Sequence, residues 1–151
     1  KAAGGGILPV SFVAGSKEVI DTLTPGSEGS TFGGYPLASV VGVYAIKTLV
    51  DLQLANNAKI RGKQLLNHFS DIKDDFPDKI KEIRGKGLLT AFEMYNESHL
   101  DGHKVSVELL NQGVYAKETH HSTVRFAPAL TIEGWQVDNM AEKLRKVIKE
   151  L

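Results

Sequence analysis

The stretch IKEIRGKGLLTAFEMY, residues 80–95, contains two strand-like runs separated by glycines. Residues 80–84 form the first run, residues 88–95 form the second, and Gly85-Lys86-Gly87 lies between them. Glycines between two such runs are typical of a tight connection between strands. An anion site at Arg84-Gly85-Lys86-Gly87 is the alternative, but the tight connection is the simpler interpretation.

Helices and further strands are predicted on both sides of this stretch. Periodic apolar residues predict a helix over 54–69, which places Ile60, Leu65, Leu66 and Phe69 inward. Downstream we predict a helix over 101–111 that ends before Gly113, and strands over 114–117 and 123–126. Residues 133–151 predict a closing amphipathic helix. Its inward residues are Val137, Met140, Leu144, Val147 and Ile148. The order β, β, α, β, β, α favours an α+β layer with helices on one face of a small sheet.

The first third of the chain has a different pattern. Residues 7–14 predict a short buried strand that Pro9 makes irregular, and residues 16–23 predict a short helix capped by Ser16, with Val19, Ile20 and Leu23 on one face. Residues 24–34 are a proline- and glycine-rich loop, and a long helix apolar on several faces begins at Pro36. We expect that helix to be buried. These elements cannot cover their own apolar faces, so we expect them to be the tail of a larger domain that lies upstream.

Composition excludes several classes of function. The 151 residues include 18 Lys and Arg against 18 Asp and Glu, which gives no electrostatic case for nucleic acid or an anionic membrane. No cysteine is present, which excludes a disulfide framework, a thiolate zinc site and a cysteine nucleophile. His99 and His103 are four residues apart and His120 and His121 are adjacent, but a third ligand at metal-site spacing is missing. We therefore predict solvated histidines and no metal site.

Lys1 is the first candidate for chemistry. It precedes Ala2-Ala3-Gly4-Gly5-Gly6, and small residues allow the backbone to pass close to a flat ligand. A lysine in a dry pocket becomes a nucleophile for carbonyl groups. The alternative is a surface lysine at a mobile chain end.

The loop Gly26-Ser27-Glu28-Gly29-Ser30-Thr31-Phe32-Gly33-Gly34-Tyr35-Pro36 is the second candidate. Hydroxyls and glycine N–H groups just before a helix N-terminus favour an anion such as phosphate. A plain N-terminal cap on the following helix is the alternative.

Arg125 is the third candidate. It lies among apolar neighbours in Val124-Arg125-Phe126-Ala127-Pro128, where it could clamp a carboxylate through two parallel hydrogen bonds. A structural salt bridge is the alternative.

These segments together resemble the C-terminal portion of a class III, pyridoxal-phosphate-dependent aminotransferase. The segment that begins Lys1-Ala2-Ala3-Gly4-Gly5-Gly6 resembles the family's cofactor-lysine segment, and residues 25–34 resemble its PG-x-x-GST-[FY]-GG loop. Residues 84–88 match its RGKGL motif and residues 125–128 its RFAP motif. Residues 116–120 with 125–128 are most similar to ornithine aminotransferases, and acetylornithine aminotransferases are the close alternative.

The resemblance implies a fold and two domains. The expected fold is α/β, the type I fold of pyridoxal-phosphate-dependent transferases, present in part. Residues 1–53 would be the end of the large domain with the inter-domain helix, and residues 54–151 the small α+β domain. A cytoplasmic homodimer with shared cofactor sites is implied. Tyr35 departs from the Asn that the family usually has before the proline.

The resemblance also implies roles for single residues. Lys1 would bond covalently to the aldehyde of pyridoxal 5′-phosphate and later move a proton between substrate and cofactor. Ser30 and Thr31 would bind the cofactor phosphate of the partner subunit's site, and Arg125 would hold a substrate carboxylate. The implied reaction transfers the δ-amino group of ornithine to 2-oxoglutarate. A non-catalytic fragment or interaction domain, and an aminomutase or decarboxylase of the same fold, are the competing interpretations.

Overall fold

The computed structural model describes residues 2–95 and 100–151 and divides the chain into two compact units. One unit ends at Gln53 and the other begins at Leu54. The division falls at the same place as the predicted domain boundary. The assignment of the units to a large and a small domain of the family stays a prediction.

The first unit contains two helices and long loops. Helix α1 spans Lys17–Ile20 and helix α2 spans Pro36–Asp51, with the proline in its first turn as predicted. Helix α1 is shorter than predicted, and the Ser16 side chain makes no capping hydrogen bond. The predicted strand over 7–14 is wrong, because the described residues there contribute a single parallel bridge between Ala2 and Val10. A strand needs a partner along its length, and the described part of this unit offers none.

The expected burial of α2 is also wrong for this chain. Gly42 is its one buried residue, and its large apolar side chains lie on the surface. The exposed ones include Leu37, Val40, Val43, Tyr44, Ile46, Leu49 and Val50. A four-residue helix and loops are too small to cover a helix of sixteen residues, so its apolar faces stay uncovered.

The described residues of the second unit form three helices and four strands in the predicted order. They are α3 (Leu54–Asp75), β1 (Ile80–Lys86), β2 (Leu89–Met94), α4 (Gly102–Asn111), β3 (Lys117–Thr119), β4 (Thr123–Phe126) and α5 (Gly134–Glu150). Asp101 accepts a hydrogen bond from the Lys104 N–H and caps α4, and Gly113 follows it with a φ of 79°. Strand β3 begins later than the predicted 114–117, because pairing with β4 begins at Lys117 opposite Arg125. Val114 and Ala116 are buried in the segment before it.

The four strands form an antiparallel sheet in the order β1-β2-β4-β3. Lys86 pairs with Leu89, so Gly87 and Leu88 form the turn between β1 and β2. Gly87 has a φ of 56°, which a tight hairpin turn requires and which glycine adopts without steric cost. The predicted tight connection is confirmed.

The core lies between one face of this sheet and the helices. Phe69 of α3, Phe92 of β2 and Phe126 of β4 form its centre, with ring centroids 5.2–6.1 Å apart. All five inward residues predicted for α5 are buried. Leu65 and Phe69 are buried as predicted, whereas Ile60 is exposed, because it lies on the outer side of α3.

No single helix in the described part of the chain is long and apolar enough to cross a membrane. Helices α2 and α3 taken together reach the required length and apolar composition, but the pair is bent at the break between them.

Candidate functional site

Arg125 lies on the open face of the sheet. Its neighbours in β4, Val124 and Phe126, are buried against the helices, and the alternation of a strand turns Arg125 to the opposite side. The apolar neighbours that made Arg125 a candidate are therefore core residues, and they hold the strand that presents its guanidinium to solvent.

Strand pairing places two more cations in line with Arg125. Arg125 is opposite Ala91 on one side and Lys117 on the other, and Arg84 is opposite Ala91 on the far strand. Directly paired residues in antiparallel strands share a face. Arg84, Arg125 and Lys117 thus form one row across the open face, which we call the cation row.

Arg84 is neutralised by carboxylates. Its Nη1 lies 3.0 Å from Glu93 Oε2 and 3.1 Å from Glu82 Oε1. Glu93 also accepts a hydrogen bond from Lys81 Nζ at 2.8 Å. The hydrogen bonds from Lys81 and Arg84 hold the pKa of Glu93 below its ordinary value of 4.5. These contacts give Arg84 a structural role within the sheet.

Arg125 differs from Arg84 in having no such partner. Within residues 2–95 and 100–151 its side chain makes no hydrogen bond and no ion pair. The salt bridge considered as the alternative role of Arg125 therefore finds no carboxylate there. An exposed, unpaired guanidinium is able to bind a carboxylate, and the clamp stays a prediction.

Ser30 and Thr31 are adjacent and exposed in the loop of the first unit. The Ser30 carbonyl accepts the Gly33 N–H at 3.0 Å, which bends the loop, and Gly34 turns it with a φ of 71°. The two hydroxyls make no hydrogen bond to the described residues, whereas Ser27 Oγ donates to the Thr24 carbonyl at 2.8 Å. The loop thus leaves two hydroxyls without a described partner, five and six residues before α2.

The N-terminus of α2 is not capped by a side chain. Tyr35 occupies the capping position and its side chain makes no capping hydrogen bond. The interpretation of the loop as a plain helix cap is therefore wrong. Uncapped N–H groups, the positive end of the helix and two free hydroxyls fit a phosphate.

Lys1 and His99 lie outside the described residues. The backbone directly after Lys1 forms two successive turns, in which the Gly5 N–H donates to Ala2 and the Ile7 N–H to Gly4, each at 3.1 Å. A methyl group on Gly4 would overlap the Leu8 carbonyl, so only glycine fits there. The close approach of the Leu8 carbonyl therefore explains the glycine at position 4. The predicted proximity of the backbone to a flat ligand is a second reason for small residues next to Lys1. Ser30 and Thr31 belong to the first unit, and Arg125 belongs to the second.

The remaining histidines have local roles. His120 and His121 adopt φ values of 52° and 60° in the turn between β3 and β4, which is the exposed turn predicted for them. His103 Nδ1 lies 2.9 Å from Glu118 Oε2, and His68 Nε2 lies 2.8 Å from Asp138 Oδ1. No group of three or more possible metal ligands occurs in the part of the chain that the structure describes.

Sequence reasoning did not select Lys117. Its only distinguishing property is its position directly opposite Arg125, and that depends on strand register. No local signal in the sequence reports this pairing.

Comparisons with known proteins agree with the sequence motifs. The family model for class III aminotransferases matches residues 1–148. An ornithine aminotransferase of Staphylococcus carnosus is 43% identical over 148 residues, which are 97% of this chain and 35% of that protein. The crystal structure of an ornithine aminotransferase from Toxoplasma gondii is 35% identical with a TM-score of 0.92 and covers 99% of this chain and 35% of its own.

An acetylornithine aminotransferase is similar to the same degree. The structure of the enzyme from Elizabethkingia anophelis is 33% identical with a TM-score of 0.91 and covers 100% of this chain and 38% of its own. The chain thus spans about a third of the length of the relatives it matches.

The chain belongs to the class III aminotransferase family. The predicted resemblance and the predicted fold class, part of the type I fold of pyridoxal-phosphate-dependent transferases, are both confirmed. Members of this family depend on pyridoxal 5′-phosphate. The loop of Ser30 and Thr31 fits the phosphate of that cofactor, since these two hydroxyls donate to no described residue.

Proposed function

We propose that the whole protein transfers the δ-amino group of ornithine to 2-oxoglutarate and forms glutamate semialdehyde and glutamate. The support from the comparisons is its similarity to proteins named ornithine aminotransferase. The observation that carries the proposal is the exposed guanidinium of Arg125, which has no partner among the described residues and lies on the open sheet face. Both glutamate and 2-oxoglutarate bring a carboxylate that such a group binds through two parallel hydrogen bonds.

Four residues of this chain have separate roles in this proposal. Ser30 and Thr31 would bind the cofactor phosphate, and the positive end of α2 would stabilise its charge. Lys1 would hold the cofactor covalently and, once released from it, would move a proton between the substrate carbon and C4′ of the cofactor. Arg125 binds the substrate carboxylate and so orients the substrate. The cofactor, when bound, supplies the electron sink that makes the proton on the substrate carbon acidic.

We further propose a homodimer in which the loop of Ser30 and Thr31 contacts the partner subunit's cofactor. Most apolar side chains of α2 and Phe32 of the loop are exposed, which supports this proposal. Such a surface needs to be covered, and the rest of the protein or a second copy would cover it. Sedimentation of the whole protein at micromolar concentration tests this, and a monomeric active enzyme would contradict it.

We propose a cytoplasmic location, for which the family resemblance is the only support. Imaging of the whole protein fused to a fluorescent domain tests it, and a signal confined to an organelle would contradict it.

The experiment for the reaction uses the whole protein with pyridoxal 5′-phosphate. Incubation with ornithine and 2-oxoglutarate should yield glutamate and the semialdehyde in equal amounts, and omission of either substrate should yield neither. The absorbance of the bound cofactor should be abolished by borohydride. An aminomutase or decarboxylase would give other products, and the fragment interpretation predicts no turnover and no cofactor band.

The alternative donor is N-acetylornithine. The similarity to the acetylornithine aminotransferase of Elizabethkingia anophelis supports it. Parallel assays should give a kcat/KM at least several-fold higher for ornithine. A preference for N-acetylornithine would replace the first proposal by this alternative.

A further inference from the structure

We propose that Lys117 and Arg125 form one paired cation site, in which Lys117 is a second residue that binds the carboxylate of the dicarboxylate substrate. The proposal rests on the proposed function and adds a residue that determines preference for that substrate. It starts from the register of two strands and from the charges that surround them.

Strand register places the two cations side by side. Lys117 is the first residue of β3, and it is directly opposite Arg125 of β4. Side chains at directly opposed positions of an antiparallel pair share a face, with Cβ atoms about 5 Å apart. Both residues are exposed. A ligand bound by the Arg125 guanidinium therefore lies within reach of the Lys117 ammonium group.

No described residue compensates the charges of this pair. Lys117, like Arg125, makes no hydrogen bond or ion pair within residues 2–95 and 100–151. Like charges directly opposite each other destabilise a sheet. The third cation of the row, Arg84, has two glutamates within 3.1 Å. The described residues thus neutralise Arg84 and offer Arg125 and Lys117 no partner. An anion bound between Arg125 and Lys117 would relieve their repulsion.

The neighbouring acid does not supply that anion. Glu118 follows Lys117 but is opposite Val124. Its Oε2 lies 2.9 Å from His103 Nδ1. Strand alternation therefore directs Glu118 toward the face that carries α4, away from the cation row. Among the described residues, the side of the pair that faces away from the core is therefore exposed and able to receive a ligand.

The substrates of the proposed reaction differ in charge. 2-Oxoglutarate carries two carboxylates, whereas ornithine carries one carboxylate and two ammonium groups. A second cation next to Arg125 therefore favours 2-oxoglutarate and disfavours ornithine. Loss of Lys117 should raise the KM for 2-oxoglutarate more than the KM for ornithine.

The test compares three variants of the whole enzyme. Lys117→Met should raise the KM for 2-oxoglutarate about fivefold with kcat within twofold, a size expected for one partly exposed charge contact. Lys117→Arg should restore the KM. The matched control is Lys86→Met, which removes an exposed lysine at the end of β1, opposite Leu89 of β2, and it should leave the KM unchanged. Thermal unfolding of each variant shows whether the fold is intact.

Binding of glutarate, an unreactive dicarboxylate, provides a readout that does not depend on turnover. Calorimetry should show about fivefold weaker binding to Lys117→Met than to the Lys86→Met control. Lysine on an edge strand also discourages strand pairing between molecules. Aggregation of Lys117→Met with unchanged KM and unchanged glutarate binding would overturn the proposal in favour of that role.

The two proposals fail in different ways. An enzyme that transaminates normally with ornithine but is insensitive to Lys117→Met overturns only the paired cation site. An enzyme without transamination that still binds glutarate through Lys117 overturns the proposed reaction and leaves the anion site in place.

Discussion

Gly62 of α3 lies directly against the backbone carbonyl of Gly87, at the turn between β1 and β2. A methyl group on Gly62 would overlap that carbonyl, so the helix and the hairpin approach as closely as two backbones can. Gly87 itself has a φ of 56°. Two glycines far apart in sequence thus fix the hairpin against the first long helix of the second unit.

Gly62→Ala should destabilise the protein by about 2–3 kcal/mol, because a backbone carbonyl cannot move aside as a flexible side chain can. Calorimetric unfolding measures this. Asn67→Ala on the exposed side of α3 is the control, and it should change stability by less than about 0.5 kcal/mol. Equal unfolding temperatures for both variants would contradict the close approach.

Glu93→Gln should lower stability at neutral pH and have little effect in acid. Hydrogen bonds from Lys81 and Arg84 hold the pKa of Glu93 below 4.5 in the folded protein. Its stabilising contribution is therefore complete above the ordinary value and is lost as pH falls through the lower folded value. Unfolding temperatures between pH 7 and pH 3 measure the gap between the wild-type protein and the variant.

The control for this pH dependence is Glu142→Gln, which changes an exposed glutamate of α5 for which the structure gives no ion pair. It should show no such gap. A difference in unfolding temperature between the wild-type protein and Glu93→Gln that grew as the pH fell would contradict this prediction.

Replacement of Ser30 by alanine together with Thr31 by valine should weaken binding of pyridoxal 5′-phosphate about tenfold or more, since each hydroxyl would donate to a charged oxygen. Titration of the cofactor-free whole protein, followed by absorbance, measures the affinity. Ser27→Ala is the matched control, because that hydroxyl donates to the Thr24 carbonyl within the loop. Equal affinities for both variants would rule out the phosphate site.

Arg125→Gln should lower kcat/KM for 2-oxoglutarate about a hundredfold and leave the unfolding temperature nearly unchanged, because a bidentate charged contact is lost while no described partner is left unpaired. Arg84→Gln should lower the unfolding temperature and leave kcat/KM for 2-oxoglutarate nearly unchanged, since Arg84 has glutamates as partners and no ligand role. Steady-state kinetics and calorimetry on both variants measure the difference. Similar kinetic losses in both would show that Arg125 acts through the sheet and not on substrate.

Much of the second unit was predictable from local patterns. The buried positions of α5, from Val137 to Ile148, repeat with the helical period, and Gly87 and Gly113 mark the turn and the helix end that they were expected to mark. These features depend on residues close in sequence. The first unit was predicted less well, because a strand over 7–14 and burial of α2 both need a second surface that the described residues of this unit do not supply.

The sequence by itself determined the order of elements in the second unit, the motifs that identify the family, and the candidate roles of Ser30, Thr31 and Arg125. Only the tertiary structure decided that Arg84 is neutralised, that Arg125 is unpaired among the described residues, and that Lys117 lies opposite it. The physical reason is that periodicity and turn chemistry act over a few residues, whereas strand register brings together side chains from separate segments. Charge compensation follows from that register, so it cannot be known before the strands are paired.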